Sequence, residues 1–439
     1  MTSALLRHYQ AGYGVGMRGG WGAPGGFFAD ADFDYETRIL LGAAASGIGD
    51  VGLVLATLDR ITDGDHQSWF DGWTEVAADL AARGDEALRR GHPQTASWAL
   101  LAAAEYYAKA LVFVDGLADQ SVLLPTFREH RNCWDKVVDA SQGRIVRVQV
   151  PYEDTPLPGY LLRPDDTGAA RPTLVVTNGS DGSLPGLLGY GAAEALDRGW
   201  NAFLFDGPGQ QSMLFEHGVP FRDDWEAVLT PVIDFLAERP DVDASALTGY
   251  GISQGGYWIT RALAFERRMV AAVADPGLVD VSTGWTAHLP PALLDMLNSG
   301  HKDAFNAVMA QAQASASPAA RTLAFRGRPY GRTDPFDLFT EVQRYQVRDV
   351  VGQISTPMLI LDPAGEQFFP GQPRQLYDLL PGEKEIIEFT PAQGANFHCQ
   401  PTGRQLTHTQ MLDWLAEHLP APAGGGGLPG QTILGGSQA

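Results

Sequence analysis

The chain has 439 residues, 44% of them hydrophobic and 19% charged, which is enough apolar sequence for a sizeable core and enough length for two domains. A formal net charge of −21 with no basic run argues against a nucleic-acid surface, because phosphate binding needs clustered Lys and Arg. The two cysteines, Cys133 and Cys399, make no disulfide framework and offer no CxxC metal or redox pair.

The N-terminus, "MTSALLRHYQAGYGVGMRGG", has basic residues but no continuous apolar core ahead of a cleavage site, so it reads as a poor signal peptide. No window reads as the roughly 20 apolar residues of a membrane span. The expectation is a cytoplasmic protein with reduced cysteines and with neither a membrane nor a nucleic-acid partner.

From about residue 33 to 141 the apolar residues recur at helical spacing. In "DHQSWFDGWTEVAADLAARGDEALRRG", Asp65 can cap the helix start, and Trp69, Trp73, Val76, Ala77 and Leu80 fall on one face. "QTASWALLAAAEYYAKALVFVDG" and "FREHRNCWDKVVDAS" read the same way. Residues 1–142 are therefore predicted to form an all-helical domain. Its Trp69, Trp73, Trp98, Tyr106 and Tyr107 read first as core, with Trp69, Tyr106 and Tyr107 the candidates to line a substrate pocket.

Beyond Gly143 the pattern changes to short strands rich in Val, Ile and Leu. "RIVRVQVP" and "LPGYLLRP" look like a hairpin-related pair. "TLVVTNG", "NAFLFDG", "ALTGYGI", "AAVADPG", "MLILDPAG" and "EIIEF" look like buried strands, several being near-continuous apolar runs of the kind covered by helices on both faces. Helical stretches fall between them at 187–198, 222–238, 254–266 and 406–418. This alternation predicts an α/β fold over 143–420, a doubly wound and mostly parallel sheet, with a helical insertion at about 278–353. The Pro/Gly-rich tail 421–439 is expected to be disordered.

Gly251-Ile252-Ser253-Gln254-Gly255 is a G-x-S-x-G sequence between an apolar strand and a helix, the setting in which it marks a nucleophile. A serine on so sharp a turn is strained, and side chains two residues either side would collide with the neighbouring elements, so glycine stands there. The hydroxyl then sits at a helix N-terminus, whose dipole favours developing negative charge. Gly249, Gly251 and Gly255 also admit a dinucleotide-binding reading, but that turn belongs after the first strand of its sheet and several strands come earlier here. A non-catalytic protein on the same scaffold is the other alternative, since fold does not fix function.

A serine needs a base, and the base an orienting acid. "TPAQGANFHCQPTG" places His398 in a Gly-rich loop between the last strand and the final helix. His217 and His288 also lie in loops, but neither follows the last strand. "MLILDPAGEQFFPGQ" holds two acids: Glu366, which begins an acid-x-x-apolar-Pro run, is favoured, and Asp362 at the strand end is the fallback. No pattern asks for a cofactor or a metal.

"VPYEDTPLPGYLLRP", "NGSDGS", "FDGPGQQ", "DDWEAVLTPVIDFL" and "GANFHC", joined to a helical N-terminal half, resemble the α/β-hydrolases over roughly 145–419. The likeness is to a branch that includes the 2,6-dihydroxypseudooxynicotine hydrolases, the fungal yellowish-green pigment polyketide hydrolases and the fermentation–respiration switch proteins. It implies an α/β-hydrolase sheet under an N-terminal helical cap, no cofactor, a small-molecule substrate and room for a homodimer. The order Ser253, Glu366, His398 is the one expected of that sheet. It also implies an oxyanion hole built from the backbone N–H of Gln254 and from the loop after "TLVVT", where Ser180 and Gly179 are the candidates. Several members cleave a carbon–carbon bond beside a ketone, and others are esterases. The expected reaction is thus carbon–carbon hydrolysis of a bulky polyketide-like or aromatic ketone, with ester hydrolysis, acyl transfer or cyclisation as the alternative. One departure stands out: where pseudooxynicotine-type hydrolases carry a glutamate in the loop after the next strand, this chain reads "ADPGLVDVSTGW", with Asp275 and Asp280 as the nearby carboxylates.

Overall fold

The computed structural model describes residues 26–287, 289–313 and 318–421. The segment read as a poor signal peptide, His288 and all but the first residue of the predicted tail lie outside the described residues.

The N-terminal half is helical, with α1 Ala31–Ala43, α2 Val51–Leu58, α3 His66–Arg89, α4 Pro93–Ala110 and α5 Leu123–Ala140. Asp30, Asp50 and Asp65 cap the first three, each accepting a hydrogen bond from a first-turn N–H that has no intrahelical acceptor. On α3, Trp69, Trp73, Val76, Ala77 and Leu80 are all buried, as their spacing predicts. Trp98 departs from the core assignment: it is 36% exposed on α4.

The helical run Pro93–Gly116 is long and apolar enough to cross a membrane, contrary to the reading that no window reaches that length. Yet 89% of its apolar window is buried inside the protein, where α4 packs between α3 and α5. It is a core helix, and its apolarity serves two helix neighbours at once.

The second half forms an eight-stranded sheet from β1 Ile145–Val150, β2 Leu157–Leu162, β3 Arg171–Thr177, β4 Asn201–Phe205, β5 Val242–Ile252, β6 Ala271–Asp275, β7 Met358–Pro363 and β8 Lys384–Phe389. Its order is β1-β2-β4-β3-β5-β6-β7-β8. β1 and β2 pair antiparallel with each other and β2 antiparallel with β4; all other pairs are parallel. β4 and β6 are buried throughout, as are the carboxyl-terminal parts of β3 and β5. β8 is not a buried strand: it lies at the sheet edge, and only Phe389 of its residues is fully covered.

Helices α6 Ala192–Asp197, α7 Gln211–Phe215, α8 Glu226–Ala237 and α9 Gln254–Leu263 lie between the strands up to β6. The segment between β6 and β7 carries α10 Ser282–Thr286, α11 Pro291–Asn298, α12 Lys302–Gln313, α13 Pro318–Gly327 and α14 Pro335–Val342, and α15 Gln372–Leu379 and α16 Arg404–Glu417 complete the chain.

Successive strand residues point to opposite faces, and the two faces bury different cores. Val175, Phe203, Ala272 and Ile360 pack with α8 and α9. Leu174, Val176, Leu204 and Leu359 pack with α16 and with Trp69, Trp73 and Leu100 of the N-terminal helices. The helical half is therefore joined to one face of the sheet by a continuous apolar core.

Chain order reverses beside β3, since β3 is followed outward by β4 and the chain then returns to β5 on its other side. Such a switch point opens a crevice at the carboxyl ends of the strands, and the loops after β3 and β5 meet there.

Candidate active site

Ser253 follows β5 directly and begins the turn into α9, with φ 54° and ψ −125°. That conformation is costly for a side-chain-bearing residue, about 1–3 kcal/mol, and persists only where its surroundings enforce it. The enforcement is visible. The Ser253 N–H donates to the Asp275 carbonyl at 2.6 Å. A Cβ on Gly251 would lie 2.2 Å from the Gly255 carbonyl oxygen, and one on Gly255 would lie 2.4 Å from that of Thr177, so no larger residue fits either position.

The loop after β8 brings His398 to the serine. Its Nε2 lies 2.8 Å from Ser253 Oγ, and its Nδ1 lies 2.8 Å from both carboxylate oxygens of Glu366. His398 is 3% exposed and Glu366 8%. Glu366 is fixed in turn, because its Oε1 accepts the N–H groups of Phe368 (2.9 Å) and Phe369 (3.1 Å). The imidazole is held edge-on to Phe368, with ring centroids 4.8 Å apart. Its backbone is tied on two sides: the N–H donates to Gln367 Oε1 at 3.1 Å, and Tyr35 Oη donates to the carbonyl at 2.8 Å.

Of the two acids, Glu366 is the one bonded to His398. Asp362 is in β7, in register with Glu388, and no hydrogen bond joins it to His398. Burial raises its pKa and the neighbouring Glu388 adds to the rise.

The start of α9 and the loop after β3 flank the serine. The N–H of Gln254 opens α9 and has no intrahelical acceptor. The loop after β3 closes from the other side, near enough that a Cβ on Gly179 would lie 2.9 Å from Ser253 Cβ. Gly179 is not an available donor, however, since its N–H is taken by Asn178 Oδ1 at 2.8 Å. Its part is steric, which removes it from the expected donor pair. Gln210 buttresses this loop through Nε2, at 2.9 Å from the Asn178 carbonyl oxygen and 3.1 Å from that of Gly179. "FDGPGQQ" thus does more than turn the chain.

Asp275 and Asp280 do not reach the site. Asp275 is fully buried, its carboxylate accepting Tyr250 Oη at 2.8 Å and Gln400 Nε2 at 2.9 Å, and burial lifts its pKa to about 6. Asp280 Oδ1 accepts the N–H of Ser282 at 2.9 Å and its hydroxyl at 2.7 Å. Cys133 and Cys399 are both buried thiols, and Cys399, next to His398, donates to the Asp275 carbonyl. His217 is exposed. Among the described residues no group of three or more His, Cys, Asp or Glu is placed to hold a metal.

A cavity of about 210 Å³ opens over Ser253 and His398, between the sheet and the helical half. Trp69, Tyr106 and Tyr107, the aromatic candidates for its wall, do not line it. Trp69 packs on Phe33, Trp73 and Phe113, and Tyr106 stacks near Trp73 with its hydroxyl bonded to the Asp50 N–H. The physical reason is rotation about α4. Its cavity face carries Glu105, Ala108 and Lys109, continued by Val112, an i, i+3, i+4, i+7 set that excludes 106 and 107. Tyr35, Glu36, Phe368 and Tyr330 also line the cavity without having been singled out. For Tyr35 and Glu36 the available signal was that they lie beside the buried Phe33 and Asp34 on α1, in a helix covered from two sides.

No protein-family profile matches this chain. The hydrolase LUC6 of Fusarium sp is 30% identical over 407 residues, spanning 89% of this chain and 97% of that protein. The 20-hydroxy-prefusarin hydrolase FUS2 of Gibberella moniliformis is 28% identical over 405 residues, 88% of this chain and 96% of its own. Among solved structures, 2,6-dihydroxy-pseudo-oxynicotine hydrolase has a TM-score of 0.69 at 19% identity, covering 86% of this chain and 95% of that one, a likeness of fold.

Proposed function

The chain belongs to the α/β-hydrolase superfamily and is a hydrolase, and from that premise we propose that it is a serine hydrolase with Ser253 as nucleophile, His398 as base and Glu366 as orienting acid. The observation that carries this reading is the unbroken chain of 2.8 Å contacts from Ser253 Oγ through His398 to Glu366. His398 Nε2 takes the hydroxyl proton as Oγ attacks a carbonyl carbon. Glu366, ionised and accepting from Nδ1–H, fixes the tautomer and stabilises the imidazolium that forms. The N–H groups of Gln254 and Ser180 receive the oxyanion, and as backbone groups they need not reorient when charge appears.

The substrate in this reading is a small molecule with a ketone beside the carbon–carbon bond that breaks. The branch resemblance supports it, and so does the enclosed position of the cavity under the helical half. An ester would pass through the same adduct with a better leaving group. A panel of aryl and alkyl esters, β-diketones and acyl-phenols separates the two: cleavage of a β-diketone or acyl-phenol into acid and ketone or phenyl products is expected. Turnover confined to short-chain esters would replace this reading with an esterase.

A further inference from the structure

Breaking a carbon–carbon bond leaves an electron pair that a serine, a histidine and an oxyanion hole do not accommodate. The leaving carbon needs an acceptor of its own, and the cavity wall opposite the sheet holds a group suited to be one. Lys109 is one of four lysines in the chain and, at 6% exposed, the buried one among the described residues. It lies on the cavity face of α4, where Trp69 Nε1 donates to its backbone carbonyl at 2.9 Å and fixes that turn. Its ammonium bonds Glu36 of α1, itself 8% exposed and also on the cavity wall.

A buried ion pair rarely stabilises a fold over an apolar pair of the same size, because desolvating both charges costs about what their attraction returns. Among the described residues, the remaining hydrogen-bonding capacity of this one is turned to no other group. An ammonium has three donors, and Glu36 is the acceptor the structure gives it. Glu36 Oε1 takes no hydrogen bond from any described residue, and burial raises the Glu36 pKa while Lys109 draws it back. Two arginines share the wall: Arg328 spends its fork on Asp115, and Arg326 lies over the Phe368 ring at 4.9 Å and 3.9 Å from Asp32.

We propose that Lys109, aimed by Glu36, is the subsite for the second carbonyl oxygen of a 1,3-dicarbonyl substrate and stabilises the enolate released when its carbon–carbon bond breaks. The proposal rests on Ser253 being the nucleophile. Ser253 Oγ bonds to the first carbonyl carbon and its proton passes to His398. As the adduct collapses, the first C=O re-forms and the bond to the central carbon breaks. Its electron pair moves into the second carbonyl, whose oxygen carries the negative charge against the Lys109 ammonium. His398 returns the proton to the central carbon, releasing a ketone. Water then hydrolyses the acyl-serine to the acid, so the proton and electron counts close with no other reactant.

The test compares the ratio of β-diketone cleavage to aryl-ester hydrolysis in the full-length parent, Lys109→Met, Lys109→Arg and the double variant Lys109→Met/Glu36→Gln, with fluorophosphonate labelling of Ser253 followed in each. A donor to developing charge in a closed site is worth about 10²–10³-fold, so the ratio should fall by that much in Lys109→Met and recover in large part in Lys109→Arg. The double variant removes the carboxylate that Lys109→Met leaves buried and unpaired, and it should show the same loss. A ratio unchanged in Lys109→Met and in the double variant, or a parent that labels at Ser253 yet cleaves no β-diketone, would overturn the proposal. A parent that does not label at Ser253 would instead overturn the nucleophile assignment beneath it.

Discussion

The loops of the sheet and the helices above it face each other across one cavity and contribute in different ways. The sheet supplies groups whose place is set by backbone: Ser253 in a strained turn after β5, and His398 and Glu366 on the loops after β8 and β7. The helical half supplies side chains from one face of α4 and α1, Glu105, Lys109 and Glu36 among them. Strand order fixes the chemistry of such a site, whereas a rotation of one helix by a single residue would change what it recognises. The two halves should therefore respond differently to substitution.

The sharpest division is expected at the nucleophile. Ser253→Ala should lower turnover of any substrate the panel identifies by about 10⁶-fold, with thermal unfolding unchanged. Residual turnover within tenfold of the parent would place the chemistry elsewhere. Next in size, Glu366→Gln should cost about 10⁴-fold through loss of the correct imidazole tautomer, while Asp362→Asn should stay within a few-fold. The reverse ranking in steady-state kinetics would hand the acid role to Asp362.

In the helical half the large effects should fall on stability. Trp69→Ala leaves a hole among Phe33, Trp73 and Phe113 and should cost about 3–5 kcal/mol in chemical denaturation, with KM of the folded enzyme little altered. A raised KM at undiminished stability would return Trp69 to the pocket wall.

His130 gives the smallest and most local effect. It is buried in α5 with Nδ1 against the Ala104 carbonyl at 2.7 Å, and burial, with Arg131 beside it, pushes its pKa down to about 4. Between the ordinary value of 6.5 and about 4 the unfolded chain binds a proton that the folded one refuses. Stability is thus whole above the upper value and is lost as the pH falls through this window, by up to about 3 kcal/mol. Urea titrations at about pH 7 and about pH 4.5 should show His130→Gln losing less than the parent by about 2 kcal/mol, since the lower pH still lies above the folded value. Equal losses would mean that His130 titrates normally.

The same contrast governs what could be read without coordinates. The central strands announce themselves as short, near-continuous apolar runs because both faces are covered, and Ser253 is legible because glycines must flank so sharp a turn. Glu366 could be ranked above Asp362 from the residues that follow it. On α4, by contrast, nearly every residue is apolar or aromatic, so periodicity does not say which stripe meets α3 and which meets the cavity. The reading of Trp69, Trp73, Tyr106 and Tyr107 as core holds, whereas the pocket role offered to Trp69, Tyr106 and Tyr107 does not, and Trp98, read with the core, lies at the surface. The Gly179 N–H looked free because nothing in the sequence indicates that the Asn178 side chain folds back onto it. β8 looked buried because "EIIEF" has the composition of an interior strand, and edge position is a property of topology.

The most direct measurement is peptide mapping by mass spectrometry after reaction with a fluorophosphonate, on the parent and on Ser253→Ala. A single covalent adduct on the peptide carrying Ser253, absent from the variant and suppressed by His398→Ala, is the predicted result. An adduct that persists at equal yield in Ser253→Ala, or that maps to another residue of the parent, would contradict the account.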